Sequence, residues 1–188
     1  MTNSARQFPT TMAARLQELA EVRTTLLTEL EDGNFDPQYA EADRWSVGEI
    51  AYHLYLVETR INGLLKNLLG SDKRGETAGE EKLRAEWELT SSRATNPEIR
   101  VKAPAGTLPE QPPPLAESIA MLKRSRLELL STISEVNLNE LAAVTAPHPI
   151  EAVGILTGAG WLSLIAHHEM RHTRQIRNLK AQQVGSAN

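Results

Sequence analysis

Apolar residues recur at steps of three and four in four separate stretches of this chain, which is the spacing of one face of an α-helix. The stretches run from Thr10 to about Asp32, from Ser46 to about Leu69, from about Leu115 to Val136, and from Thr157 to about Gln182. Because each stripe must be buried against another element, we predict an all-α chain, a four-helix bundle with long crossover connections. A three-helix core with a disordered middle would leave one of the four stripes exposed.

Residue types at the helix ends support these limits. Ser46 and Glu49 have the spacing of a capping box, and Thr157 can cap the start of the fourth helix. Gly33 and Gly70 follow the last apolar positions of the first and second helices, where glycine commonly ends a helix.

Residues 71–114 are the least regular part of the chain. EEKLRAEWEL (80–89) fits a short helix, whereas the prolines of PAGTLPEQPPP (104–114) exclude one there. A loop of this length inside a compact domain usually crosses the fold or covers a site. We predict a single domain over residues 1–188, with loose ends at 1–8 and 183–188.

Composition narrows the possible functions. Hydrophobic residues make up 40% of the chain but aromatic residues only 4%, so the core must be largely aliphatic, which favours helices. A net charge of −4 with both signs interspersed argues against nucleic-acid binding. The chain has no cysteine, so a metal ion would be bound by imidazole or oxygen. The sequence shows no signal peptide and no membrane span, so we expect a cytoplasmic protein.

Two of the five histidines interrupt the apolar stripe of the fourth helix. His168 and His172 are four residues apart, which places their Cβ atoms roughly 6 Å from each other on one face. His53 lies on the apolar face of the second helix, beside Ile50 and Val57. At a rise of about 1.5 Å per residue, an antiparallel pairing of these helices brings the three rings to one level, and a parallel pairing fits slightly worse.

Three neutral imidazoles from two helices form one face of a metal site and leave positions open for water or substrate. The alternative is three ordinary core histidines. It is less favourable, because each buried imidazole needs its own polar partner.

Residues 168–172 read H-E-M-R-H, which matches the H-E-x-x-H pattern of helical zinc peptidases. Those peptidases take their third ligand from further along the chain, but no His, Asp or Glu follows His172. We therefore disfavour a peptidase and expect the third ligand to come from upstream.

Four segments together carry a resemblance to a known family. They are W-S-V-G-E-I-A-Y-H-L (45–54), V-K-A-P (101–104), H-P-I (148–150) and H-E-M-R-H-T-R-Q-I (168–176). This combination resembles the DinB family, including its YfiT-like metal-dependent hydrolases, over nearly the whole chain. The resemblance implies a four-helix bundle, commonly a homodimer, with a divalent metal held by His53, His168 and His172. Related proteins include S-transferases that use bacillithiol or mycothiol, and a thiol isomerase.

Two polar residues stand beside the predicted ligands. Glu169 is a candidate catalytic base for metal-bound water, or an acceptor for a ligand N–H; the alternative is a solvated glutamate. Gln175 shares the face of His168 and His172, where a supporting or packing role is expected.

Other residues near the site receive ordinary interpretations. His167 falls on the polar face, so we expect it to be exposed or at a dimer contact. His148 is expected to be a loop residue, or to lean over the mouth of the site. Arg171 and Arg174 form a solvated charged face or bind an anionic thiol. Trp45, Trp87 and Trp161 are expected to be core or wall residues.

The sequence predicts a protein that binds Zn²⁺, Ni²⁺, Mn²⁺ or Fe²⁺ and acts on a small molecule, as a hydrolase or as an S-transferase that uses a low-molecular-weight thiol. The alternative function is a non-catalytic, stress-linked helical homodimer. In that case the metal would only join the second helix to the fourth.

Overall fold

The computed structural model describes residues 7–40, 44–72, 74–96 and 102–186. Its long helices are α1 (Met12–Glu31), α2 (Val47–Leu69), α3 (Glu80–Thr95), α4 (Leu115–Ile133) and α6 (Gly158–Ser186). A short helix α5 (Leu138–Ala142), strand β1 (Thr145–Pro147), a 3₁₀ turn (Glu151–Val153) and strand β2 (Ile155–Thr157) lie between α4 and α6.

Side-chain caps begin the long helices α1 and α2. The Thr11 hydroxyl accepts a hydrogen bond from the Ala14 N–H at the start of α1. Ser46 and Glu49 form both bonds of the predicted capping box. Such caps satisfy N–H groups that the first helical turn leaves without partners.

The long helices α1, α2, α4 and α6 enclose an aliphatic core, which confirms the predicted four-helix bundle. One buried cluster joins Ile50 to Ile176, and another joins Ile61 to Ile165. As α2 advances, its neighbours on α6 move backwards along the chain, so the two helices are antiparallel. This direction is the one that best brings the predicted histidines together.

Helix α3 has 16 residues, more than the short helix expected, and it packs against α6. Leu83 and Trp87 are buried, and the Trp87 indole N–H donates to the carboxylate of Glu18 on α1. The helix thus covers a side of α6 that the sequence alone would assign to solvent.

The connector before α6 contains a small antiparallel hairpin that the hydrophobic pattern does not predict. Thr145 of β1 pairs with Thr157 of β2. The hydroxyl of Thr157 accepts from the Gly160 N–H, as expected of a cap, and donates to the buried carboxylate of Glu86 on α3. The hairpin and α3 together fix where α6 begins.

The predicted loose ends fall partly outside the described residues, which exclude 1–6 and 187–188 as well as Val101 of the V-K-A-P segment. Phe8 is ordered against Trp87, with ring centroids 6.2 Å apart. Helix α6 continues to Ser186, further than expected. In the described part of the chain, every helix is too short or too polar to cross a membrane.

Candidate metal centre

Three histidine rings meet between α2 and α6. The Nε2 atoms of His53 and His168 are 3.0 Å apart. The ring centroid of His172 lies 5.1 Å from that of His53 and 4.5 Å from that of His168. One nitrogen from each ring can be chosen so that all three lie within 4.8 Å of one another, close enough for the group to hold a metal ion. The predicted convergence of these imidazoles is confirmed.

Two of the rings are oriented by hydrogen bonds on the nitrogen that faces away from the cluster. His53 Nδ1–H donates to the backbone carbonyl of Thr107 over 2.6 Å. His172 Nδ1–H donates to the side-chain oxygen of Gln175 over 3.0 Å, which confirms the supporting position expected for Gln175. A proton on Nδ1 leaves the lone pair on Nε2, where it is free to bind a metal ion.

Burial keeps these imidazoles in the neutral form that binds metal. His53 and His172 are buried, and His168 is partly exposed. Burial lowers the pKa of His53, although the hydrogen bond to Thr107 opposes the change. Burial, followed by the charge of the neighbouring His53, lowers the pKa of His172 to about 3. Burial, followed by the charges of the other two rings, lowers the pKa of His168 well below its usual value.

Trp45 forms a wall beside the site, and Trp87 and Trp161 are core residues, so each has one of the two roles expected of it. The Trp45 ring centroid lies 4.6 Å from that of His53 and 6.4 Å from that of His172. Trp161 is buried at the start of α6 and stacks on His148, with centroids 5.3 Å apart. His148 Nδ1 accepts the backbone N–H of Ile150, which is an ordinary loop contact.

Comparison with known proteins identifies the family and the fold of the chain. The family model of the DinB superfamily matches residues 15–176 of the chain. The chain belongs to the DinB superfamily. Its fold is also similar to a solved structure described as "TT2238, a four-helix bundle protein", with 25% identity and a TM-score of 0.51. That match covers 88% of this chain and 96% of the other. Among curated proteins, no significant match was found.

This DinB-superfamily chain places Glu169, the predicted catalytic residue, in a buried ion-pair cluster. Its Oε1 accepts hydrogen bonds from Arg23 Nη2 over 2.5 Å and from Arg126 Nη2 over 2.7 Å. Glu58 on α2 pairs with the same two arginines, at 2.8 Å and 2.6 Å. We call these four residues the charge cluster; it joins α1, α2, α4 and α6.

The alternative of a solvated Glu169 is wrong, because the residue is only 2% exposed. Its catalytic role stays a prediction, which these contacts do not favour: two guanidinium groups already compensate its charge. Its second oxygen, Oε2, is buried and has no hydrogen-bond partner within the described residues.

The expectation that His167 is exposed is wrong. It is 1% exposed, and its Nδ1 lies 2.8 Å from the hydroxyl of Thr90 on α3. The Trp87 ring packs edge-on against it at 5.2 Å, and the Glu18 carboxylate lies 3.7 Å from its Nε2. Packing of α3 against this side of α6 is the reason.

Arg171 and Arg174, which we expect to form a solvated charged face or to bind an anionic thiol, both contact the end of α3; Arg174 is exposed, and Arg171 is partly buried. Arg171 donates to the backbone carbonyls of Arg93 and Asn96 over 3.1 and 3.2 Å. Arg174 donates to the carbonyl of Ala94. Positive side chains at a helix C-terminus satisfy carbonyls that lack helical partners.

Sequence reasoning missed Thr107 and the charge cluster. Thr107 lies in an irregular segment, and no local pattern points from it to His53. The charge cluster did leave a signal. Arg23, Glu58 and Arg126 each have apolar core side chains four positions before and three positions after them, as Glu58 does with Leu54 and Ile61. A charge inside an apolar stripe predicts a buried ion pair.

Proposed function

We propose that this protein is a divalent-metal-dependent hydrolase or small-thiol S-transferase in which His53, His168 and His172 bind the metal. The observation that carries the proposal is the 3.0 Å separation between the Nε2 atoms of His53 and His168. Two imidazole nitrogens this close need either a proton or a cation between them. Metal–nitrogen bonds of about 2.0–2.1 Å allow both to bind one ion.

The donor set fits a transition metal. All three ligands are neutral imidazoles, which suit Zn²⁺, Ni²⁺ and Fe²⁺ and also accommodate Mn²⁺. A bound ion with such ligands lowers the pKa of a coordinated water or thiol toward neutrality and so supplies a nucleophile.

The surrounding residues would supply access and orientation. His168 is partly exposed whereas His53 and His172 are buried, so the approach for a small molecule lies on the His168 side. Trp45 gives that region an apolar wall beside His53. The hydrogen bonds to Thr107 and Gln175 hold two of the rings with their Nε2 atoms available.

A second candidate function is a structural one, in which the metal only joins α2 to α6. The observation that supports it is that the three ligands come from these two helices. An accessible coordination position separates the two functions, because a structural site is closed to exogenous ligands.

Metal analysis of the purified protein tests the ligand set. We expect His168→Ala and His53→Ala to lose bound metal, whereas His148→Ala, which alters a half-buried histidine outside the set, should retain it. Unchanged metal content in His168→Ala would refute the ligand set.

Catalysis is tested with the metal-loaded protein. We expect added azide or a small thiol to change the d–d spectrum of the Co²⁺- or Ni²⁺-substituted protein. We also expect metal-dependent turnover in a screen of thiol-transfer and hydrolysis substrates. A site that binds metal but admits no exogenous ligand would favour the structural function.

A further inference from the structure

The segment that begins at residue 102 passes over α2 through a tight turn. Residues 104–107 read P-A-G-T, and the Thr107 N–H donates to the Pro104 carbonyl over 3.0 Å. Gly106 has a φ of +82°, the positive value expected at the third position of a type II turn. A residue with a side chain would be strained in this conformation. The Thr107 hydroxyl also donates to the Pro104 carbonyl over 2.8 Å.

This turn is attached to α2 at two points. Arg60 Nη1 donates to the carbonyl of Ala105 over 3.0 Å, and His53 Nδ1–H donates to the carbonyl of Thr107 over 2.6 Å. His53 and Arg60 are seven residues apart, so they lie on one face of α2 at a separation of roughly 10 Å along its axis. The turn therefore spans two helical turns of the surface on which His53 stands.

The two attachments differ in burial. Thr107 is 3% exposed and His53 is also 3% exposed, so the carbonyl and the ring N–H satisfy each other out of water. Arg60 is exposed. Its removal would release one end of the turn without opening a cavity in the core.

We propose that Arg60 is a positioning residue for the metal ligand His53, acting through the 104–107 turn. By holding the Ala105 carbonyl, Arg60 sets the place of the next carbonyl but one, that of Thr107. The Thr107 carbonyl in turn keeps the proton of His53 on Nδ1 and the lone pair on Nε2. The inference rests on the proposed metal site, since it gives a role to the orientation of His53.

Metal affinity is the first measurement. Zn²⁺ alone is titrated in competition with a chromophoric chelator into the full chain and its variants. Loss of a hydrogen-bonding partner behind a ligand typically weakens metal binding by about 10- to 100-fold, and we expect about tenfold for Arg60→Ala. Arg60→Lys keeps a donor and should recover part of the affinity.

Matched variants isolate the route. Gly106→Ala disturbs the same contact from within the turn, because an added Cβ would lie 2.9 Å from Arg60 Nη1, and it should weaken binding similarly. Arg74 is also exposed and donates to a backbone carbonyl, that of Leu69, over 2.7 Å. Arg74→Ala should bind Zn²⁺ within twofold of the unaltered protein.

The second measurement needs no metal. In chelator-treated protein labelled with ¹⁵N in its histidines, NMR reports which nitrogen of His53 carries the proton. We expect the Nδ1–H tautomer in the unaltered protein and a shift toward Nε2–H in Arg60→Ala. Weaker binding with an unchanged tautomer would overturn the proposed route, as would an equal loss of affinity in Arg74→Ala.

Failure of the two proposals can be told apart. If the unaltered protein binds no metal, the proposed function fails, and the tautomer comparison still decides the role of Arg60. If Arg60→Ala binds Zn²⁺ as tightly as the unaltered protein, the role of Arg60 is refuted and the metal site stands. If Arg60→Ala does not fold, Gly106→Ala and Arg60→Lys give the decision.

Discussion

The charge cluster of Arg23, Glu58, Arg126 and Glu169 predicts that Glu169 stabilises the fold. Glu169→Gln keeps the shape of the side chain and removes its charge. Two buried guanidinium groups would then face the single carboxylate of Glu58, which contacts both of them. Burial raises the pKa of Glu58, but the charges of Arg126 and Arg23 outweigh it and lower the pKa.

The expected loss is large. The side chains of all four residues are no more than 8% exposed, so water screens their charges poorly. Removing one partner of a buried ion pair costs about 3–5 kcal/mol. Domains of this kind have a free energy of unfolding of about 5–15 kcal/mol, so Glu169→Gln should lose a substantial part of it.

Urea unfolding followed by circular dichroism measures this loss, with chelator present so that bound metal does not contribute. The control is Glu29→Gln, because Glu29 pairs with Arg177 and Lys180 in a more exposed setting, and its loss should be below about 1 kcal/mol. Adding Arg126→Met to Glu169→Gln restores one charge of each sign. The double variant should therefore lose less than the sum of the single losses by about 1–3 kcal/mol.

Two results would refute the structural interpretation of Glu169. One is a loss for Glu169→Gln no larger than that for Glu29→Gln. The other is strict additivity in the double variant. If Glu169→Gln instead kept its stability and abolished a metal-dependent activity, the catalytic role predicted from the sequence would regain support.

Three further predictions concern two glycine substitutions, the pH dependence of stability and the removal of metal. Gly160→Ala should lose at least about 1–3 kcal/mol of unfolding free energy, because its Cβ would collide with the carboxylate of Glu86. Gly63→Ala lies at a helical position with no atom within 4 Å of the added Cβ, so it should gain up to about 1 kcal/mol of unfolding free energy. Urea unfolding measures both variants, and an equal change of unfolding free energy in the two would contradict both predictions. Burial lowers the pKa of His53 and takes that of His172 to about 3. As the pH falls, these histidines therefore bind protons in the unfolded chain before they do so in the folded protein. Stability should be complete above pH of about 6.5 and fall as the pH decreases toward 3, and a urea midpoint at pH 5 equal to that at pH 7.5 would refute this. Chelator should lower the melting temperature of metal-loaded protein, because metal at 100 times its Kd stabilises the folded state by about 2.7 kcal/mol; an unchanged melt would argue that the metal does not bind the folded state.

Much of the candidate site could be predicted from sequence because its ligands lie on helices. A period of 3.6 residues places His168 and His172 on one face whatever surrounds them, and His53 falls on the apolar face of α2 for the same reason. The spacing alone does not prove that two helices meet at these positions. Both apolar stripes must be buried in the core, which favours contact between α2 and α6. The structure shows this contact, with the Nε2 atoms of His53 and His168 3.0 Å apart.

The wrong expectations for Glu169 and His167 share one cause, which is that the hydrophobic period assigns polar residues outside the apolar stripe of α6 to solvent. Glu169 and His167 are both buried, because α3 and the arginines of α1 and α4 supply polar partners on those sides of α6. No residue near Glu169 in sequence reveals that Arg23 lies against it. That information is carried by helix packing over 146 positions of separation.

The sequence by itself determined the helices, their caps and the faces that carry the three histidines, since these depend on interactions within a few residues. Only the tertiary structure decided which groups form hydrogen bonds with the histidine rings and which form ion pairs with the buried charges. The Thr107 carbonyl behind His53 and the guanidinium groups around Glu169 come from segments far away in the chain. Their identity depends on the path of a loop and the packing of four helices, for which local periodicity carries no information.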